Sequence, residues 1–397
     1  MNKDRKRVLI IGNGFDLCLG RKTSYKDFCQ SEFCPKDYPS PLIKHLNDKW
    51  NDNLDAVKWY DLENELYNYY IRIKNNNGQI IDLYNDKERN VLEQIQANGP
   101  VTEFYECIKS NVDIVNNLLK NGILILPRFS CYISFSHEDI LNPPIERDQK
   151  ALQLIKNGLI QYLIKVQQEA INENSIAAIV ARAFMRNKSN DQIVIYSFNY
   201  TSFSEVAPNS SFAMEFNDTI NYVHGCILDG NIILGTKDEK IVHNYDFIQK
   251  SFDSQYNPPA MVYDLMDADD ITIFGHSLGI NDSQYFKAFF ERQSSSTNPQ
   301  KKNITIFTKD AKSEIEIKRS LQEMTNWNLT SLYGLNNLQI IKTDECANNP
   351  ALLRKYIKMY IDNEEDIVSV SAIPSCLYFC VFLPLSQKPW KPIPFTP

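Results

Sequence analysis

The chain has 397 residues, 43% of them hydrophobic and 23% charged, with a net charge of −7. This is ordinary globular composition, long enough for one large body or two domains. The acidic balance excludes a general affinity for nucleic acid, whose phosphates call for basic surface.

In chain order, Met1 to Arg7 is polar and basic and leads into Val8-Leu9-Ile10-Ile11. Four apolar residues are too few for a signal-peptide core and fit a buried strand. Residues from about Pro41 to Asn187 read mainly helical: Leu62, Leu66 and Tyr70 share a helical face, as do Leu152, Ile155, Leu159 and Tyr162. Lys74-Asn75-Asn76-Asn77-Gly78 reads as a surface loop between helices. On the first of these helices Asp61, Glu63 and Glu65 read as a solvated face, with entry into a cleft as the alternative. Further strands are expected at Ile193–Ser197, Ile220–Val223, Ile232–Leu234, Ile271–Phe274, Ile304–Phe307 and Leu338–Ile341. Several are unbroken apolar runs, the pattern of parallel strands covered on both faces by helices. Asn349-Pro350 starts a last helix, with proline at a tolerated first-turn position. From Ile367 to Gln387 there is no charge, but Pro374, Pro384 and several serines interrupt the run. A strap packed on the body fits it better than a membrane contact.

The expectation is an α/β protein: a Rossmann-like parallel sheet of about six strands flanked by helices, with a large helical insertion after the first strand. Residues 1–40 and 190–345 form the core, 41–189 the insertion or cap, and 346–397 a C-terminal helix and apolar tail. Nine cysteines include no Cys-x-x-Cys pair, so reduced thiols in a cytoplasmic protein are expected. No His/Asp/Glu cluster has the spacing of metal ligands, and none is expected to hold one.

Chemistry is expected where glycine, scarce at 13 residues, gathers after strands. Gly12-Asn13-Gly14 follows the first strand and opens a helix, the arrangement of a phosphate cradle, although Leu17 stands where the dinucleotide fingerprint has its third glycine. Asp16 there either binds a sugar hydroxyl or caps the helix. Asn199, just past a strand, can orient a ribose hydroxyl or a water by donating and accepting at once, or can be a turn residue. His224-Gly225 places a proton acceptor at a strand end, or a structural histidine. Gly275-His276-Ser277-Leu278-Gly279 matches a nucleophile elbow, yet none of the five histidines follows Ser277 in the chain, as that fold requires. A phosphate or ribose contact by Gly275 and Ser277 is the simpler reading.

Taken together, Ile11-Gly12-Asn13-Gly14-Phe15-Asp16, Thr23-Ser24-Tyr25 with Phe28, Trp59-Tyr60-Asp61-Leu62-Glu63, Ser197-Phe198-Asn199-Tyr200-Thr201, Val223-His224-Gly225, and Gly275-His276-Ser277-Leu278 with Asp282 and Tyr285 resemble the AbiH family of bacterial anti-phage, abortive-infection proteins. The same segments look like a reduced sirtuin-type NAD site. In sirtuins a glycine follows eight residues after the first of the Gly-x-Gly, as Gly20 follows Gly12, and an Asn, a His-Gly and a Gly-Thr-Ser-Leu come in the order of Asn199, His224-Gly225 and Gly275–Leu278. The resemblance implies NAD as substrate or ligand. It places Asn199 and His224 in catalysis, and Gly12, Asn13, Gly14, Asp16, Gly225, Gly275, Ser277 and Asp282 around the cofactor. The sirtuin zinc cysteines are missing, and Thr201 stands where a sirtuin has Asp, so NAD hydrolysis is implied in preference to protein deacylation. A nucleotide sensor without turnover and, behind it, a serine hydrolase at Ser277 remain the alternatives. The implied partners are a small-molecule nucleotide and a phage-derived trigger; the helical insertion is open to service as lid, self-association surface or trigger sensor.

Overall fold

The computed structural model describes residues 5–52, 61–75, 86–96, 101–120, 145–185, 191–202, 220–239, 245–297, 300–346 and 349–360. The uncharged stretch 367–387, Trp59, Tyr60 and most of the loop expected at 74–78 lie outside them, although Lys74 and Asn75 end a helix.

Six strands form one parallel sheet: β1 (Lys6–Ile11), β2 (Gln192–Ser197), β3 (Ile220–Tyr222), β6 (Asp270–Phe274), β7 (Asn303–Thr308) and β8 (Asn337–Lys342), in the order β3-β2-β1-β6-β7-β8. Counted within the sheet alone this is 3-2-1-4-5-6, the doubly wound order whose direction reverses beside the first strand. The run expected as a strand at Ile232–Leu234 lies elsewhere: Asn231–Ile232 (β5) pairs antiparallel with Gly225–Cys226 (β4) in a separate hairpin. Its apolar side chains fill the helical core beside the sheet.

Strand alternation sorts the two faces. Leu9 and Ile11 point to the layer of α1 (Asn13–Cys18), α9 (Ile176–Met185) and α14 (Pro350–Ile357), the last started by Pro350 as expected. Val8 and Ile10 point to the layer of α10 (Met261–Asp267), α11 (Ser283–Gln293), α12 (Ala311–Met324) and α13 (Leu329–Leu335). With both faces covered, the inner strands can be apolar at nearly every position.

Between β1 and β2 the chain adds α2 (Tyr25–Gln30), α3 (Pro41–Asp52), α4 (Leu62–Asn75), α5 (Asp86–Gln96), α6 (Val101–Ser110), α7 (Val112–Lys120) and α8 (Ile145–Gln167) before α9. A third core joins α3, α4 and α8: Leu62, Leu66, Tyr69, Tyr70 and Ile73 face Leu152, Ile155 and Leu159. Tyr200, Cys226, Ile232, Leu234, Tyr245 and Ile248 belong to that same core. The helical region is therefore packed onto the segments that follow β2 and β3, at the carboxyl end of the sheet. Among the described residues no helix is long and apolar enough to cross a membrane.

Candidate functional site

The chain leaves β1, β2, β3 and β6 at one edge of the sheet, and the segments singled out in the sequence follow these four adjacent strands. The glycine turns after β1 and β6 meet first. Gly12 N donates to the Phe274 carbonyl (3.0 Å) and Gly14 N to the Gly275 carbonyl (2.8 Å). A Cβ on Gly14 would lie 2.7 Å from Gly275 Cα, and one on Gly12 would lie 2.7 Å from His276 Cα. The glycines serve a close approach, as expected, but what approaches is the neighbouring turn, and it takes up the N–H groups of Gly12 and Gly14. Gly225 has φ +76° at the start of β4, with no room for a Cβ beside the Asn231 carbonyl.

Asp16 does not cap α1. It is buried, accepting from Thr201 Oγ1 at 2.5 Å, with Arg21 Nη1 at 3.4 Å. Burial pushes its carboxyl up, and Arg21 and Thr201 offset that only in part. Asn13 Oδ1 accepts from Thr23 Oγ1 (2.6 Å), which ties the β1–α1 turn to the loop ahead of α2.

Asn199 is 5% exposed. Its side chain lies close enough to Asp16 to favour the ionised carboxyl, yet neither Nδ2 nor Oδ1 completes a hydrogen bond. On the adjacent strand end His224 is 3% exposed and its Nδ1 is also without a partner. Leaving such a group unsatisfied costs about 1–3 kcal/mol. Natural proteins keep few of them, and those call for an explanation.

The other face of His224 is fully engaged. Its Nε2 lies 2.9 Å from Asp282 Oδ1 and 3.1 Å from Lys250 Nζ. The Lys250 ammonium also donates to Asp282 Oδ1 and Glu63 Oε2, both at 3.0 Å. Tyr200 OH donates to Glu63 Oε1 (3.1 Å), so Glu63 is held from both sides. Burial alone would lower the Lys250 pKa, but Asp282 and Glu63 outweigh it and hold the ammonium charged. Burial would likewise raise Asp282; Lys250 and His224 reverse this and hold it well below the usual carboxylate range. Glu63 stays above its ordinary value because burial exceeds the pull of Lys250.

His276 contributes differently. Its Nδ1 accepts from Leu278 N (2.9 Å), which fixes that nitrogen as unprotonated, and its Nε2 lies 3.4 Å from Asp282 Oδ2. The Phe198 ring packs edge-on against both imidazoles, with centroids 5.3 Å and 4.3 Å away. Ser277 stands apart from this cluster: it is exposed and has no hydrogen bond to either histidine. The elbow-like pattern thus supplies a serine whose neighbouring imidazole is committed to Leu278 and Asp282. No group of three or more His, Cys, Asp or Glu side chains among the described residues could hold a metal ion.

Glu63 overturns the expectation of a solvated helix face, because α4 begins at Leu62 directly over Lys250. Glu65 turns the other way, to His45 at 3.5 Å, and Asp61 accepts from Asn64 N at the helix start. Lys250 had no sequence signal: it sits in Ile-Gln-Lys-Ser-Phe, outside any motif, and reaches the cluster because Thr236 and Gln249 bridge. A cavity lined by Phe28, Cys29, Cys34, Trp50 and Leu62 lies among the helices, away from Asn199 and His224.

Neither the curated proteins nor the solved structures searched hold a match to this chain. The family model described as "Bacteriophage abortive infection AbiH" matches residues 8–302, which takes in most of β1, the whole helical region, Asn199, His224, Lys250 and the turn carrying His276 and Asp282. With well over half of its length matched, the chain belongs to the AbiH family of bacteriophage abortive-infection proteins.

Proposed function

We propose that this abortive-infection protein hydrolyses the N-glycosidic bond of NAD or a closely related nucleotide, releasing nicotinamide. The observation that carries the reading is the set of unpartnered, buried polar atoms on adjacent strand ends: both amide atoms of Asn199 and Nδ1 of His224. A ribose has hydroxyls that donate and accept, and the attacking water does both; these are the partners such atoms lack. The sheet order adds support at the level of fold, since dinucleotides bind outside the carboxyl ends of strands where the order reverses. That part is analogy, and the unpartnered atoms are specific to this chain.

In the reaction the bond between the ribose C1′ and the nicotinamide nitrogen breaks, the electron pair leaving with nicotinamide. Water adds to C1′ and gives up a proton, so the products are ADP-ribose, nicotinamide and H⁺. Asn199 orients the ribose or the water, and His224 takes the proton. Asp282 and Lys250 fix the His224 ring from behind, and Glu63 holds Lys250 in place. Gly12, Asn13, Gly14, Asp16, Gly225, Gly275 and Ser277 are assigned to the surroundings of the cofactor. Hydrolysis of NAD would halt metabolism in an infected cell, which agrees with abortive infection.

The sensor reading uses the same atoms to bind a nucleotide without turnover. Purified protein incubated with NAD, with and without phage lysate, separates the two. Hydrolysis predicts nicotinamide release that falls at least about 100-fold in Asn199→Ala and in His224→Ala, with circular dichroism unchanged. Release that survives both substitutions removes this mechanism; NAD binding without release under either condition replaces it with the sensor.

A further inference from the structure

Cys29 and Cys34 sit outside the site and are unused by the proposed reaction. Cys29 lies in the last turn of α2, and the chain then reverses: Ser31 N donates to the Phe28 carbonyl (2.9 Å), and Lys36 N to the Cys34 carbonyl (2.9 Å). This reversal turns both thiols toward one space. Both are free, each lies near enough to the other to perturb its ionisation, and both line the cavity shared with Lys36, Trp50 and Leu62. Cys29 is 6% exposed, whereas Cys34 is partly open to solvent.

The two thiols are not equivalent. The neighbouring Cys29 thiol lowers the Cys34 pKa despite burial, and the nearby Lys36 charge adds to that. The same contact, with burial, pushes Cys29 up. A partly exposed thiol biased toward thiolate, next to a buried protonated one, is the arrangement of an attacking and a resolving cysteine.

We infer that Cys34 and Cys29 form a peroxide-reactive pair that closes to a disulfide across this cavity. The Cys34 thiolate sulfur attacks one oxygen of hydrogen peroxide. The O–O bond breaks, and the departing hydroxide takes a proton and leaves as water. The Cys34 sulfenic acid then loses its hydroxyl, with the Cys29 thiol proton, as a second water when the Cys29 sulfur displaces it. Two thiols are oxidised and one peroxide is reduced.

The test uses the full chain. After peroxide the protein is denatured, free thiols are blocked with N-ethylmaleimide, and trypsin releases residues 27–36 as one peptide carrying both cysteines. The expected product is that peptide unblocked, lighter by two hydrogens and restored by dithiothreitol. It should form at least about tenfold faster than Cys107, which burial raises, is lost to blocking. Cys29→Ser should leave a Cys34 sulfenic acid that dimedone captures, and Cys34→Ser should leave Cys29 fully blockable. Recovery of the wild-type peptide with both thiols blocked, whatever becomes of the other cysteines, overturns the inference. So does Cys34 sulfinic acid beside a Cys29 that still reacts with N-ethylmaleimide.

Discussion

At position 275 an added methyl group would stand 2.4 Å from the Gly14 carbonyl carbon and 2.4 Å from Phe15 N, on a backbone with φ +65°. Two costs combine there: the left-handed conformation, about 1–2 kcal/mol, and the forced separation of two backbone turns, about 1–3 kcal/mol. Gly230 has nearly the same φ, +66°, with nothing within 4 Å of its added Cβ. Gly275→Ala should therefore lose about 2–5 kcal/mol in urea denaturation and Gly230→Ala about 1–2 kcal/mol. Equal losses would show that contact between the β1 and β6 turns contributes nothing. At this scale the sequence revealed where closely approaching turns lie, because glycine is scarce and clustered. What fills the space beside Gly14 was hidden, since Gly275 is remote in the chain. Lys250 was hidden for the same reason: a lone lysine reads as surface until Asp282 and Glu63 are brought to it.

Among the helices, one buried carboxylate joins three elements. Asp148 of α8 accepts from Leu42 N of α3 (3.0 Å), from Tyr69 OH of α4, and from Tyr245 OH (3.1 Å). Burial raises its carboxyl from 3.8 to about 6 despite these donors. Below about 3.8 native and unfolded chains are both protonated and ionisation costs neither. Between about 3.8 and 6 only the native form keeps the proton, so this group's contribution falls as pH rises, and above about 6 the loss is complete. The change is on the order of 3 kcal/mol. Asp148→Asn keeps an acceptor but cannot ionise. It should gain on wild type in urea midpoint as pH goes from 4 to 7, and parallel pH profiles would reject the assignment. Helical periodicity made α4 and α8 readable, because their apolar spacing is local. It could not show that Asp148, in the first turn of α8, is buried, since Tyr245 comes 97 residues later.

Across the whole molecule both edges of the sheet carry paired charges. At the amino edge charges are paired: Arg5 with Asp270 (2.6 Å), Lys6 with Asp264 (2.8 Å) and Asp267 (3.1 Å), and Arg7 with Asp191 (3.0 Å). Arg7 is 1% exposed, donates to the Phe184 carbonyl (2.8 Å), and packs over the Phe184 and Tyr360 rings. At the carboxyl edge Lys250 pairs with Glu63 and Asp282, and beside them stand Asn199 and His224 with unsatisfied atoms. Parallel order explains the distance: every strand starts at one edge and ends at the other, so the Arg5, Lys6 and Arg7 pairs are separated from Asn199 and His224 by the strand length, roughly 16 Å for β1. Arg7→Leu removes one partner of a buried pair and should cost about 3–5 kcal/mol in denaturant unfolding. Because the loss falls at the far edge, nicotinamide release per folded molecule, measured well below the unfolding transition, should match wild type under the proposed function. If instead turnover falls in the variant while circular dichroism and the fraction folded stay native, the amino edge shapes the site through the strands, and the separation of tasks along the sheet fails.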